Sequence, residues 1–157
     1  MTTRTAENLT LQIKRLIKAP RERVFDAWTD PERLKQWFGP DEDVVVPLAK
    51  VDLRVGGRYR IQMKRPDGEF HTAVGTYREV KWPERLVFTW GWEKDGSEPD
   101  FGEVEPNEML VTLEFHPRGE QTELVLMQEK FASLESRDRH EQGWNGSLDK
   151  LEKLFSK

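Results

Sequence analysis

Gly143-Trp144-Asn145-Gly146-Ser147-Leu148-Asp149-Lys150-Leu151 is the stretch on which the fold turns. Trp144, Leu148, Leu151 and, further on, Phe155 recur at intervals of four, three and four. That spacing aligns them along one face of an α-helix. The pattern predicts a helix from about Ser133 to Phe155, closing the chain. Gly143 and Gly146 lie inside it, and each costs about 1 kcal/mol relative to alanine in a helix interior. Each therefore needs a reason. One is close approach of the helix to a sheet; the other is an opening left at the mouth of a cavity.

Upstream of this helix the chain reads mainly as strands. Glu108–His116 and Thr122–Glu129 alternate around the turn Pro117-Arg118-Gly119-Glu120. Arg85–Glu93, Phe70–Val80 and Arg58–Lys64 are extended, separated by Trp82-Pro83-Glu84 and by Pro66-Asp67-Gly68. In the second of these turns proline presets one torsion and glycine permits a positive one. Gly56-Gly57 is a turn or a bulge. Val44–Val46 is a short strand ending near Pro47, and Leu48–Leu53 is ambiguous as its continuation. Asp95–Asn107, acidic and rich in Gly and Pro, reads as a loop.

Near the N-terminus, Leu9, Leu11 and Ile13 alternate with Thr10, Gln12 and Lys14, a half-buried strand. Val24, Phe25 and Trp28 then share one face of a short helix with Pro20 at its first position. Asp30 caps a second short helix whose first turn holds Pro31. Its apolar face is Leu34, Trp37 and Phe38, and Gly39-Pro40 stops it. The order is strand, two short helices, about six antiparallel strands and a long helix. An antiparallel sheet must bury one face, and the final helix is the large amphipathic element left to cover it. The class is α+β, helix on sheet, in one domain over residues 1–157 with its core at about 9–155.

Composition narrows the function. The net charge is −4 with both signs interspersed, so nucleic-acid binding has no electrostatic footprint. The chain has no cysteine, hence no disulfide framework and no thiolate nucleophile or metal ligand. The N-terminus lacks a signal-peptide apolar core, and no stretch approaches the ~20 apolar residues of a membrane helix. A cytoplasmic protein without a membrane span is the expectation. His71, His116 and His140 follow no metal-ligand spacing, and no Gly-x-Ser-x-Gly elbow is present. No metal, cofactor or catalytic residue is assigned.

Four phrases carry a resemblance. They are Asp30-Pro31-Glu32-Arg33-Leu34-Lys35-Gln36-Trp37-Phe38-Gly39-Pro40, Asp52-Leu53-Arg54-Val55-Gly56-Gly57, Pro83-Glu84-Arg85-Leu86-Val87-Phe88-Thr89-Trp90, and Gly143-Trp144-Asn145-Gly146-Ser147-Leu148. With them the chain resembles stand-alone bacterial proteins similar to the C-terminal domain of the heat-shock-protein-90 ATPase activator. These belong to the START-like SRPBCC superfamily, also called birch-pollen-allergen-like. The resemblance runs from about Leu9 to Leu154. It implies a helix-grip fold, a curved sheet around the long helix with a deep cavity between them. Superfamily members bind lipids, sterols, flavonoid-like aromatics or polyketides there. The eukaryotic activator has an additional N-terminal chaperone-binding domain with no counterpart here, so ATPase activation does not carry over.

The candidate cavity residues follow from strand alternation. Tyr59, Ile61 and Met63 share one face of their strand, and Phe88, Trp90 and Trp92 another, continuing from Leu86. Val111 and Leu113 belong to a third row, and Leu126 and Gln128 to a fourth. For Phe70–Val80, His71, Ala73, Gly75 and Tyr77 are placed inward, with Gly75 leaving room and Tyr77 supplying a hydroxyl. Trp144 and Leu148 face them from the helix, and Trp37 plugs the end of the sheet. Each row is equally an ordinary packed core. Gln128 needs a partner on an otherwise apolar face, either ligand or water in the cavity, unless a bulge turns it to solvent. The first reading is therefore a non-catalytic protein binding a small hydrophobic or aromatic molecule, with Gln128, Tyr77 and His71 orienting it. A polyketide cyclase or hydratase using His71 with Tyr77 or Glu79 is an alternative. A chaperone-interaction module using the Asp95–Asn107 loop is another.

Overall fold

The computed structural model describes residues 9–93 and 108–156. The expected loop Asp95–Asn107 lies outside them. Ten elements follow in chain order. Strand β1 (Leu11–Ile17) precedes helices α1 (Arg21–Thr29) and α2 (Pro31–Trp37). Strands β2 (Val45–Val51), β3 (Arg58–Lys64), β4 (Phe70–Lys81), β5 (Arg85–Trp92), β6 (Met109–Arg118) and β7 (Gln121–Glu129) come next, and helix α3 (Leu134–Leu154) closes the chain. The seven strands form one antiparallel sheet in the order β1-β7-β6-β5-β4-β3-β2. This is the helix-grip α+β fold.

Local chemistry accounts for the element boundaries. Asp30 accepts a hydrogen bond from the Glu32 amide at 3.0 Å and caps α2, with Pro31 in its first turn. Pro20 is a departure: it caps α1, in extended backbone, and the helix begins at Arg21. The expected stretches Val44–Val46 and Leu48–Leu53 join into one shorter strand, β2, which leaves out Val44, Asp52 and Leu53 and whose pairing with β3 shifts register between Val45 and Leu48, across Pro47. A proline cannot donate to the ladder, which is why it sits at such an irregularity on an edge strand. Gly68 and Gly119 turn with φ of 90° and 65°, torsions that glycine adopts without steric cost.

The inward rows lie where alternation puts them. Tyr59, Ile61, Met63, Ala73, Tyr77, Leu86, Phe88, Trp90, Val111, Leu113, Leu124 and Leu126 share one continuous core with Trp144, Leu148 and Leu151 of α3. On β4 the inward face holds through Tyr77, and then the register shifts between Tyr77 and Glu79. That bulge puts Val80 rather than Glu79 against the core, opposite Leu86, while Glu79 accepts a hydrogen bond from Arg85 Nε at 3.2 Å.

Two polar clamps fix α3 over the sheet. Arg15 on β1 donates to Glu152 at 2.6 Å, to Asp149 at 2.9 Å and to the Asn145 side-chain oxygen at 2.9 Å. The connection after α2 is held from the other side. Ser147 Oγ donates to Gly39 O at 2.8 Å, and Lys150 Nζ donates to Asp41 O at 3.0 Å. Burial lowers the Lys150 pKa, while the Glu42 and Asp41 carboxylates oppose that shift. No helix among the described residues is long and apolar enough to cross a membrane.

Candidate functional site

A cleft of about 360 Å³ opens between the sheet and α3. Its floor is Trp90 and Trp92 on β5, and Met63 and His71 flank them from β3 and β4. Trp144, Gly143 and His140 form the α3 wall. Phe38, Pro40 and Val44, from the connection after α2, close one end. Arg65, Arg139 and Ser147 complete the lining. Three indoles therefore converge: Trp90 lies 4.9 Å from Trp144 and 5.5 Å from Trp92 between ring centroids. Such tilted and edge-on aromatic pairs are favourable beyond their buried area.

The polar atoms of these walls are largely engaged within the protein. Trp144 Nε1 donates to Gln128 Oε1 at 2.6 Å. Trp92 Nε1 donates to His140 Nε2 at 3.2 Å, and His140 Nδ1 lies 2.8 Å from Ser136 O. This arrangement requires the neutral ring, with its proton on Nδ1 facing the carbonyl and Nε2 accepting. Burial lowers the His140 pKa; the Ser136 carbonyl opposes this and Arg139 reinforces it. Trp90 Nε1, by contrast, is buried with no hydrogen-bond partner among the described residues.

Deeper between helices and sheet the interior is filled. A void of about 10 Å³ remains among Trp28, Leu34, Phe38, Tyr59, Ile61, Tyr77, Phe88 and Trp90, about the space of a single water. Tyr59 donates its hydroxyl to Thr89 O at 2.5 Å. Burial raises the pKa of Tyr59, and likewise that of Tyr77, so both are neutral phenols at ordinary pH.

The expected cavity residues divide accordingly. Met63, His71, Trp90, Trp92 and Trp144 line the cleft. Tyr59, Ile61, Tyr77 and Phe88 border the small void. Trp37, Ala73, Val111, Leu113, Leu126 and Leu148 are buried in the core and line neither space. Trp37 donates its Nε1 to Ala27 O at 2.9 Å and stacks edge-on to Trp28. Gly75 leaves room for protein: a Cβ there would lie 2.6 Å from the Tyr59 ring and 2.0 Å from Thr89 O. Gln128 faces inward, but Trp144 takes its oxygen and its Nε2 lies 3.3 Å from Met109 Sδ. His71 meets Glu69 at 2.7 Å, whereas Tyr77 packs on Tyr59 and Phe88. Tyr77 lies six residue steps along the strand from His71, roughly 20 Å. With Glu79 turned out to Arg85, these groups do not converge as an acid–base pair.

The two helix glycines also separate. A Cβ on Gly146 would fall 1.7 Å from Pro40 O, so that glycine exists for close approach, to the α2–β2 connection rather than to the sheet. Gly143 lines the cleft, with Pro40 Cβ the nearest neighbour at 3.7 Å. Sequence reasoning passed over Pro40, Val44, Arg65, Arg139, His140 and Ser147 as lining residues. A signal existed for two of them: extending the Trp144–Leu148 stripe one turn back lands on His140 and its neighbour Arg139.

The comparisons bear on this geometry. A family model described as Activator of Hsp90 ATPase homolog 1-like protein matches residues 18–156. Among solved structures, a Chromobacterium violaceum protein is 29% identical with a TM-score of 0.81, covering 95% of this chain and 98% of that one. A Nitrosomonas europaea protein is 27% identical with a TM-score of 0.77, covering 95% of each chain. The AHSA1 protein of Silicibacter pomeroyi is 30% identical with a TM-score of 0.77, covering 92% and 95%. No curated protein matches the chain. With the fold, the four phrases and the family match in agreement, the chain belongs to the Activator of Hsp90 ATPase homolog 1-like family.

Proposed function

We propose that the chain is a non-catalytic, cytoplasmic binding protein of one domain. It encloses a small hydrophobic molecule, aromatic or lipid-like, between the sheet and α3. The observation that carries this reading is the cleft of about 360 Å³ walled by Trp90, Trp92 and Trp144. Its size falls in the range of small-molecule sites, which are mostly apolar with a few placed polar groups. An aromatic body comparable to a tryptophan side chain buries about 150–250 Å². At about 25 cal/mol per Å² that is ~4–6 kcal/mol before ordering costs. Apolar burial alone thus supports binding no tighter than about 0.04 mM even before those costs, and a polar contact is needed for more.

Gly143 makes the reading testable without disturbing the core. Native mass spectrometry of the purified protein reads any retained molecule, and thermal shift against an apolar aromatic library reads the class. Gly143→Leu places a side chain in the cleft. It is expected to abolish stabilisation by library compounds while leaving the unliganded midpoint within about 2 °C. A clean apoprotein that no compound stabilises, or stabilisation undiminished by Gly143→Leu, overturns the proposal. In that event pull-downs for a chaperone or other protein partner become the next experiment.

A further inference from the structure

We infer that the molecule the cleft takes is a compact aromatic carboxylate, its ring among the tryptophans and its anionic head at Arg65 and Arg139. This rests on the binding reading above and names its ligand class. The protein carries a net charge of −4, yet the charged side chains lining this cleft are both arginines. Neither guanidinium has an ion-pair partner among the described residues, although most other arginines of the sheet and α3 do: Arg15, Arg60, Arg85, Arg118 and Arg137 each meet a carboxylate. The nearby carboxylates are otherwise occupied, Glu69 with His71 and Asp138 with Arg137.

Both arginines are exposed while still lining an apolar space. Such a residue lays its stem along the apolar wall and holds its head in water. A ligand with a charged end at the mouth keeps that end partly hydrated, so it avoids the cost of burying an ion. The planar guanidinium fork matches a carboxylate in a bidentate way. The apolar end matches the other walls, where the N–H groups of Trp92 and Trp144 already have acceptors. A neutral aromatic would leave the two cations unused, and an aromatic amine would meet like charge.

Isothermal titration with 2-naphthoate, 2-naphthylmethanol, 2-naphthylmethylamine and dodecanoate tests this on the full chain. The wild-type protein is expected to bind the naphthoate about tenfold more tightly than the alcohol, the increment of a charge-assisted hydrogen bond. The amine should bind most weakly, and dodecanoate less tightly than naphthoate. Raising salt from about 50 to about 500 mM should narrow the naphthoate–alcohol gap, because the arginines are exposed. In R65Q/R139Q the naphthoate should lose that advantage. The alcohol, with no charge to lose, reports whether the cleft survives, and its affinity should change less than threefold. Equal binding of acid and alcohol overturns the anion assignment and leaves the cavity reading standing. An acid preference retained in R65Q/R139Q overturns the roles of these residues. Tighter dodecanoate overturns the aromatic body. Absence of binding by all four probes overturns this inference and the cavity reading together.

Discussion

The two ends of the space under the sheet differ sharply. At one end Tyr59, Tyr77 and Phe88 meet Trp28 and Leu34 from α1 and α2, and only about 10 Å³ stays empty. At the other, Trp90 and Trp92 meet Gly143, Trp144 and His140 of α3, and about 360 Å³ remains. Both ends are lined by residues of the same strands, β3, β4 and β5, the last supplying Phe88 to one and Trp92 to the other. What distinguishes them is what comes down from the opposite side. The α1–α2 pair inserts large side chains. Helix α3 presents Trp144 along one wall, but beside it a glycine and a histidine that bonds back to Trp92. The same three strands thus yield packed core or open wall according to what packs against them.

The contrast breaks most visibly at the filled end. Phe88→Ala should cost about 3–5 kcal/mol, as large aromatic deletions in packed cores do, read by urea unfolding. If the cost is below about 1 kcal/mol, that end is not the tight core described. Next come the two glycines, three residues and about 4.5 Å of helix rise apart. Gly146→Ala should destabilise by about 1–3 kcal/mol, because the added methyl meets Pro40 backbone. Gly143→Ala should instead stabilise by up to about 1 kcal/mol, since the methyl has room and alanine is the better helix former. Equal effects at the two positions would erase the distinction between close approach and opening.

The smallest effect concerns His140. Its pKa is lowered in the folded protein, chiefly by burial, so the unfolded chain binds a proton first as pH falls. The stability from the neutral ring is complete above the unfolded value, about 6.5. It declines as pH drops below that and levels off once the folded value is passed. Protonation also removes the acceptor for Trp92 Nε1. Thermal midpoints of wild type and His140→Asn across pH 4.5–8 should converge as pH falls. A gap that widens toward acid pH would show that burial does not favour the neutral ring.

Much of the fold was legible because its signals are local. Asp30-Pro31 announced a helix start, and Tyr59-Ile61-Met63 and Leu86-Phe88-Trp90 announced inward faces. The bulge after Tyr77 was not legible; it depends on pairing with β5 and turns Glu79 away from the series that strict alternation gives. The cleft was legible in its aromatic walls, Trp90, Trp92 and Trp144. Its rim was not. Pro40, Val44, Arg65 and Arg139 come from loops, strand ends and an exposed helix turn that carry no shared period.

From sequence alone came the α+β class, the element order, the inward rows and the family resemblance, since backbone periods of 2 and 3.6 set which side chains share a face. Tertiary structure alone decided which rows are plugged and which are hollow. It took Gln128 and Gly75 out of the candidate site by giving them protein partners, and it put Arg65 and Arg139, which have no ion-pair partner among the described residues, into the lining of one cleft. The reason is physical: periodicity assigns a side chain to a face, but whether that face meets an atom or a space depends on how far a distant element reaches into the interior.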